Sequence, residues 1–245
     1  MNLLPWQWIA AAFAALLVGL SKTGVPGLGL LFVSIFANIM PPRAATGVVL
    51  PMLLVGDVIA VGWYRRHAQW SRIWRLFPWA ACGVVMGYFA LARMSDRQVG
   101  LAVGVIVVGL VALQVLSKRG LAGADGRDIP WWMAPLFGIL AGFTTLISNA
   151  AGPLMLIYLL AMRLPKLEFI GTGAVYFLLL NLFKVPFMAH LGLINPGSLR
   201  LNLALAPAVL VGAWAGRKVL AGIDQARFEK LMLGLTLLAG LKLLL

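Results

Sequence analysis

The chain is 245 residues long, 62% hydrophobic and 11% charged, with a mean hydropathy of +0.97; this lies far from the balance of a soluble domain and reads as an integral membrane protein. A formal net charge of +13 comes without any basic-aromatic pattern, so it reads as a topological signal aided by anionic lipid and not as a nucleic-acid surface. One cysteine, Cys82, excludes an internal disulfide and any multi-cysteine metal site, and in its apolar helix it reads as packing.

Apolar segments cover roughly residues 5–21, 26–40, 44–64, 75–92, 98–117, 131–147, 153–162, 167–189, 199–216 and 228–245. They are rich in Leu, Ala, Gly and Val, and they lack the ten-residue alternation of a lipid-facing barrel strand, so the expected fold is all-helical. The first run has no Lys or Arg between Met1 and Ser21, so it lacks the positive region of a cleaved signal and is read as a membrane segment. It ends in Gly19-Leu20-Ser21-Lys22-Thr23-Gly24-Val25-Pro26-Gly27-Leu28-Gly29. The sixth run ends in a comparable break, Gly142-Phe143-Thr144-Thr145-Leu146-Ile147-Ser148-Asn149-Ala150-Ala151-Gly152-Pro153. A helix broken inside a bilayer is tolerated only where the break is buried in protein or lines an aqueous cavity. The pieces beside each break span about 15 to 25 Å against the ~30 Å hydrocarbon core, which suits re-entrant hairpins or tilted short spans.

With the N-terminus outside, Arg65, Arg66, Arg72, Arg75, Lys118, Arg119, Arg127, Arg163, Lys166, Arg217, Lys218, Arg227 and Lys230 fall on one side. Only Arg43, Arg93, Arg97, Arg200 and Lys242 fall opposite. This asymmetry places the first group in the cytoplasm and both termini on the periplasmic side of an inner membrane. Pro78, Gly83 and Gly87 recur as Pro207, Gly212 and Gly216 at one spacing of 129, and the Gly-xxx-Gly pairs read as close helix packing. Asp96 and Asp224 precede the last segment of each half as cap-region residues. Five segments per half invert the second copy relative to the first. The expected architecture is therefore an all-α protein of two inverted-topology repeats, residues 1–117 and 131–245, joined by a polar cytoplasmic linker at 118–130.

Inversion brings the two breaks together near the bilayer centre. Pro26 and Pro153 stand where new half-helices are expected to begin, aiming free N–H groups and positive dipole ends into a shared space that favours an anion. Lys22, Thr23, Gly24, Pro26, Ser148, Asn149, Gly152 and Pro153 are the candidate substrate-binding residues of the breaks. Asp57 is the only carboxylate away from the ends of an apolar segment; an ionisable residue there costs about 2.5 to 3.5 kcal/mol, which argues for a coupling or pairing role. Lys184 holds the equivalent place in the second half and either lines the site with Asn181 or snorkels to the surface. His67 and His190 sit at segment ends and read as interfacial. No catalytic set, metal motif or cofactor motif appears.

The duplicated glycine-rich breaks, the chain length and the polar linker resemble the sulfite exporter TauE/SafE family, over essentially the whole chain. Many members carry a Gly-Ile-Gly-Gly-Gly type sequence at each break. This chain instead has Lys22-Thr23-Gly24-Val25-Pro26-Gly27 and Ser148-Asn149-Ala150-Ala151-Gly152-Pro153, similar to a branch with Ser-Lys-Thr-Gly and Asn-Ala-Ala-Gly-Pro motifs. The resemblance implies a secondary transporter of a small sulfur-containing anion such as sulfite or a sulfonate. On this reading it works by alternating access coupled to a proton gradient, with lipid and the anion as its partners. A passive anion channel would use the same site, and a membrane-embedded enzyme is the more distant alternative.

Overall fold

In an apolar run without water, each backbone N–H and C=O must find its partner within the segment, so these sequences form helices. The computed structural model of the chain describes residues 3–95, 97–98, 131–224 and 227. Among them lie α1 (Pro5–Thr23), α2 (Gly29–Ile39), α3 (Pro42–Tyr64), a 3-10 turn (Arg65–His67), α4 (Trp70–Arg93), α5 (Met133–Ser148), α6 (Gly152–Ala161), α7 (Lys166–His190) and α8 (Pro196–Gly222). Four of these, α3, α4, α7 and α8, are long and apolar enough to cross a membrane. The linker 118–130 and, but for Gln98, the expected segments 98–117 and 228–245 lie outside the described residues, as does Asp96.

The short pieces are as expected: α2 has 11 residues and α6 has 10, about 15 Å each. Two differences from the sequence reading have physical causes. Helices α4 and α8 run into polar sequence at Trp70–Arg75 and Arg217–Gly222, because long basic side chains let a helix continue through the interface while their heads stay in water. Helix α2 starts at Gly29 and not at Pro26. Gly27 takes φ 107°, a left-handed conformation open to glycine that turns the chain before the helix can begin.

Each half packs its first helix on the fourth helix of the other half, α1 on α8 and α4 on α5, while α3 packs on α7. Glycines set the closeness of the first two pairs. A Cβ at Gly19, Gly212 or Gly216 would strike the backbone of the facing helix, and so would one at Gly83 or Gly142, while one at Gly87 or Gly138 would crowd that backbone at 3.0 Å. The Gly-xxx-Gly pairs are thus packing surfaces, as expected. Cys82 differs from expectation. It is exposed, on the outer surface of α4, and contributes nothing to the interior.

The helix ends sort into two groups. Gly171 presses on the backbone of Tyr64–Ala68, Gln69 donates to Glu168 at 2.8 Å, and Lys166 donates to the Leu220 carbonyl at 3.3 Å. The basic-rich turns therefore share one end. At the other end Gly47 presses on Leu193, the Tyr88 hydroxyl meets His190 Nδ1 at 2.9 Å, and Gln7 donates to the Ile39 carbonyl at 3.3 Å. Asp224 accepts from the Arg227 N–H at 2.8 Å, in keeping with a cap-region role.

Candidate functional site

Lys22 lies in the last turn of α1, and Asn149 caps α5 in the left-handed region at φ 55°, which asparagine tolerates better than most residues. Both breaks therefore end a helix at a polar side chain, aimed at the α3–α7 pair. Lys22 Nζ lies 2.8 Å from Asp57 Oδ1, an ionic contact without hydrogen-bond alignment at that oxygen. Gly56 makes room for it, since a Cβ there would stand 2.9 Å from Lys22 Cγ. Asn181 Nδ2 donates to the other Asp57 oxygen at 2.6 Å.

Lys184 completes the cluster. Its ammonium donates to Thr145 Oγ1 at 3.0 Å, Asn149 Oδ1 at 2.6 Å and Asn181 Oδ1 at 3.1 Å, so all three protons have acceptors. The residue is 0% exposed, which removes the snorkelling alternative: Lys184 stays inside. Asn149 Nδ2 donates to the Thr46 carbonyl at 3.0 Å, tying the second break to α3. A polar chain thus runs Lys22–Asp57–Asn181–Lys184–Asn149–Thr46 through an apolar interior. A buried charge is costly unless paired and hydrogen-bonded, and here each one is engaged. Lys22 and Asn149 stand 127 residues apart, as do Asp57 and Lys184; the same contact between a break and a long helix is made in both halves with different chemistry.

The two breaks also share one cavity, of about 70 Å³, with Lys22, Pro26, Gly27, Asn149, Gly152 and Asn181 at its polar end. From Asn181 it follows α7 back to Phe169, toward the end where the basic turns gather. Gly152 faces open space, where a Cβ would meet nothing within 4 Å. Its counterpart behaves otherwise. A Cβ at Gly24 would strike Gly216, and the Thr23 hydroxyl bonds to the Ala213 carbonyl at 2.7 Å, so both belong to the α1–α8 contact. Ser148 bonds back to the Thr144 carbonyl at 3.3 Å, Pro153 is buried in the first turn of α6, and neither lines the cavity. Lys22, Pro26, Asn149, Gly152 and Asn181 line it, Lys184 stands directly behind it, and Asp57 joins Lys22 to Asn181.

The reading from sequence alone missed Thr46, Gly56, Thr145 and Phe177. Thr145 lies one turn before Asn149 on the same helix face, a spacing that was available as a signal. Phe177 takes the Lys22 ammonium over its ring at 4.3 Å from the centroid; nothing in its own sequence context marks it. No group of three or more potential metal ligands occurs among the described residues.

No curated protein and no solved structure matches this chain. The family model described as sulfite exporter TauE/SafE matches residues 11–243, a span that contains both breaks and every residue of the polar chain. The protein is accordingly a multi-pass membrane protein, and it belongs to the sulfite exporter TauE/SafE family of transporters.

Proposed function

We propose that the protein is a secondary transporter that moves a small sulfur-containing anion across the inner membrane by alternating access coupled to protons. The observation that carries this reading is the single cavity between the two breaks, with Lys22 at its polar end. In their ionised forms Lys22, Lys184 and Asp57 leave one positive charge uncompensated, and an anion neutralises it in a setting where an unpaired charge is expensive. Pro26, Asn149, Gly152 and Asn181 shape the pocket, and Lys184 supports the anion from behind it. Asp57 is the coupling group: it holds Lys22 when the site is empty and takes up the proton when the anion draws Lys22 away. Binding is modest by design of the task, since the anion must also leave.

The exchanged packing of α1 on α8 and α4 on α5 supports two inverted repeats over 1–117 and 131–245, whose relative rocking exposes the site to each side in turn. The charge asymmetry supports a cytoplasmic linker at 118–130 and periplasmic termini. Uptake into proteoliposomes of sulfite, sulfate, thiosulfate, taurine and sulfoacetate, with and without an imposed proton gradient, tests the reading. Saturable, gradient-dependent uptake of at least one of these anions is expected. Conductance without saturation or coupling would make the protein a passive channel, and indifference to all five would end the anion reading.

A further inference from the structure

The cavity is closed on one side of the polar chain. Its wall follows α7 from Phe169 to Asn181 and includes Asn149, but Thr46, Ile147 and Lys184, which bond to Asn149 or adjoin it, take no part in the lining. All three are buried. Thr46 stands one turn from the start of α3, at the end opposite the basic turns, where Gly47 presses on Leu193. Two bonds of opposite sense fasten this turn to the tip of the second break. Asn149 Nδ2 donates to the Thr46 carbonyl at 3.0 Å, and the Thr46 hydroxyl donates to the Ile147 carbonyl at 3.2 Å. From the other side Lys184 donates to Asn149 Oδ1 at 2.6 Å.

The corresponding place in the other half is open. Thr46 and Gly173 are 127 residues apart, as Lys22 and Asn149 are. Gly173 lines the cavity, and a Cβ there would meet only the Leu159 side chain, at 3.6 Å. Lys22, the counterpart of Asn149, is turned to Asp57 instead. The same pair of positions is therefore bonded shut in one half and parted in the other. We propose that Thr46 and Asn149 form the gate that shuts the site from the periplasm, and that Asn149 ties this gate to the charged cluster through Lys184. The gate rests on the alternating-access reading and the charge-based orientation above, and it gives them a closing element. Pro51 lies inside α3 and has no N–H for the Gly47 carbonyl, so the helix lacks a rung just past the gate turn and bends there when the gate opens. The Thr46 hydroxyl then keeps the Pro42 carbonyl of its own helix, 3.0 Å away. The Ile147 carbonyl, in the last turn of α5 with no intrahelical N–H left to it, turns to water.

Thiol accessibility from each face tests the gate. In a Cys82→Ser background, Gly152→Cys sets a thiol in the cavity where a side chain meets nothing, and its reaction with a small charged methanethiosulfonate is timed in right-side-out and inside-out membrane vesicles. The reporter protein is expected to react from the cytoplasmic face, and at least about tenfold more slowly from the periplasmic one. Adding Thr46→Val, which keeps the shape and removes the hydroxyl, is expected to raise the periplasmic rate about fivefold, and Thr46→Ser to leave it at the reporter's value. Asn149→Asp keeps an oxygen for Lys184 but loses the N–H that reaches Thr46; the same rise is expected, which covers the case of a Thr46→Val protein that does not fold. A periplasmic rate that neither Thr46→Val nor Asn149→Asp raises, or that Thr46→Ser raises equally, overturns the gate and leaves alternating access standing. Faster reaction from the periplasmic face without these substitutions also overturns it. Equal reaction from both faces, or none from either, removes the alternating-access reading and the gate with it.

Discussion

Lys22 and Lys184 carry the same charge but are held in different ways, and their substitutions should separate. Lys22 faces the cavity with one ionic partner, so Lys22→Gln removes the charge proposed to meet the anion. It is expected to weaken anion binding by roughly tenfold or more, read by competition in proteoliposomes, with the folded protein retained. Lys184→Met instead strands the oxygens of Thr145, Asn149 and Asn181, each worth about 1 to 3 kcal/mol when left unsatisfied in the interior. A lowered melting temperature in detergent is the expected outcome, ahead of any selective loss of affinity. Asp57→Asn is similar in shape and cannot titrate. Uptake by that variant is expected to continue with its pH dependence gone, and a pH profile unchanged from the parent would exclude Asp57 as the coupling group. Charged residues in apolar sequence announce themselves, which is why Lys22, Asp57 and Lys184 were legible; the acceptors were not, since Thr46 accepts through its backbone carbonyl and a threonine such as Thr145 is unremarkable in a membrane helix, its role depending on which helix faces it.

At the scale of the helix, the two break glycines that look alike in sequence have opposite surroundings. Gly24 is pressed against Gly216 and Gly152 faces empty space. Gly24→Leu is therefore expected to abolish the folded protein, by overpacking at a backbone contact that has no side chain to give way. Gly152→Leu is expected to leave expression and the detergent melting temperature within a few degrees of the parent while transport is lost. Comparing membrane yield, thermal unfolding and uptake for the two variants checks this, and equal behaviour in all three would contradict it. Helix lengths, the breaks and the glycine pairs were readable because each rests on local pattern. The start of α2 was not, because a proline at 26 suits a first turn, and only the left-handed turn at Gly27 delays the helix. Thr23, as a donor, and Gly24, as a glycine of the break, are expected at the site, but one step along a helix turns a residue by about 100°, which carries them toward α8.

For the whole molecule, the grouping of basic turns at one end makes sidedness testable. In a Cys82→Ser background, Arg66→Cys and Arg200→Cys place single thiols on exposed residues at opposite ends. In intact cells a membrane-impermeant maleimide is expected to label position 200 and to spare position 66 until the membrane is opened. Labelling of both from outside would contradict the charge-based orientation. The exchange of packing partners between halves could not be read from either half alone, because it is a property of the pair. The site has the same character. In the first half the break supplies the cation and the long helix the carboxylate; in the second the break supplies an amide and the long helix the cation. Two copies of the first half would bring two lysine–carboxylate pairs and no net charge to the centre, and two copies of the second would bring two lysines and no carboxylate. With all of these groups ionised, neither half associating with itself would build the proposed site of single positive charge, so one chain carrying both would guarantee their one-to-one stoichiometry.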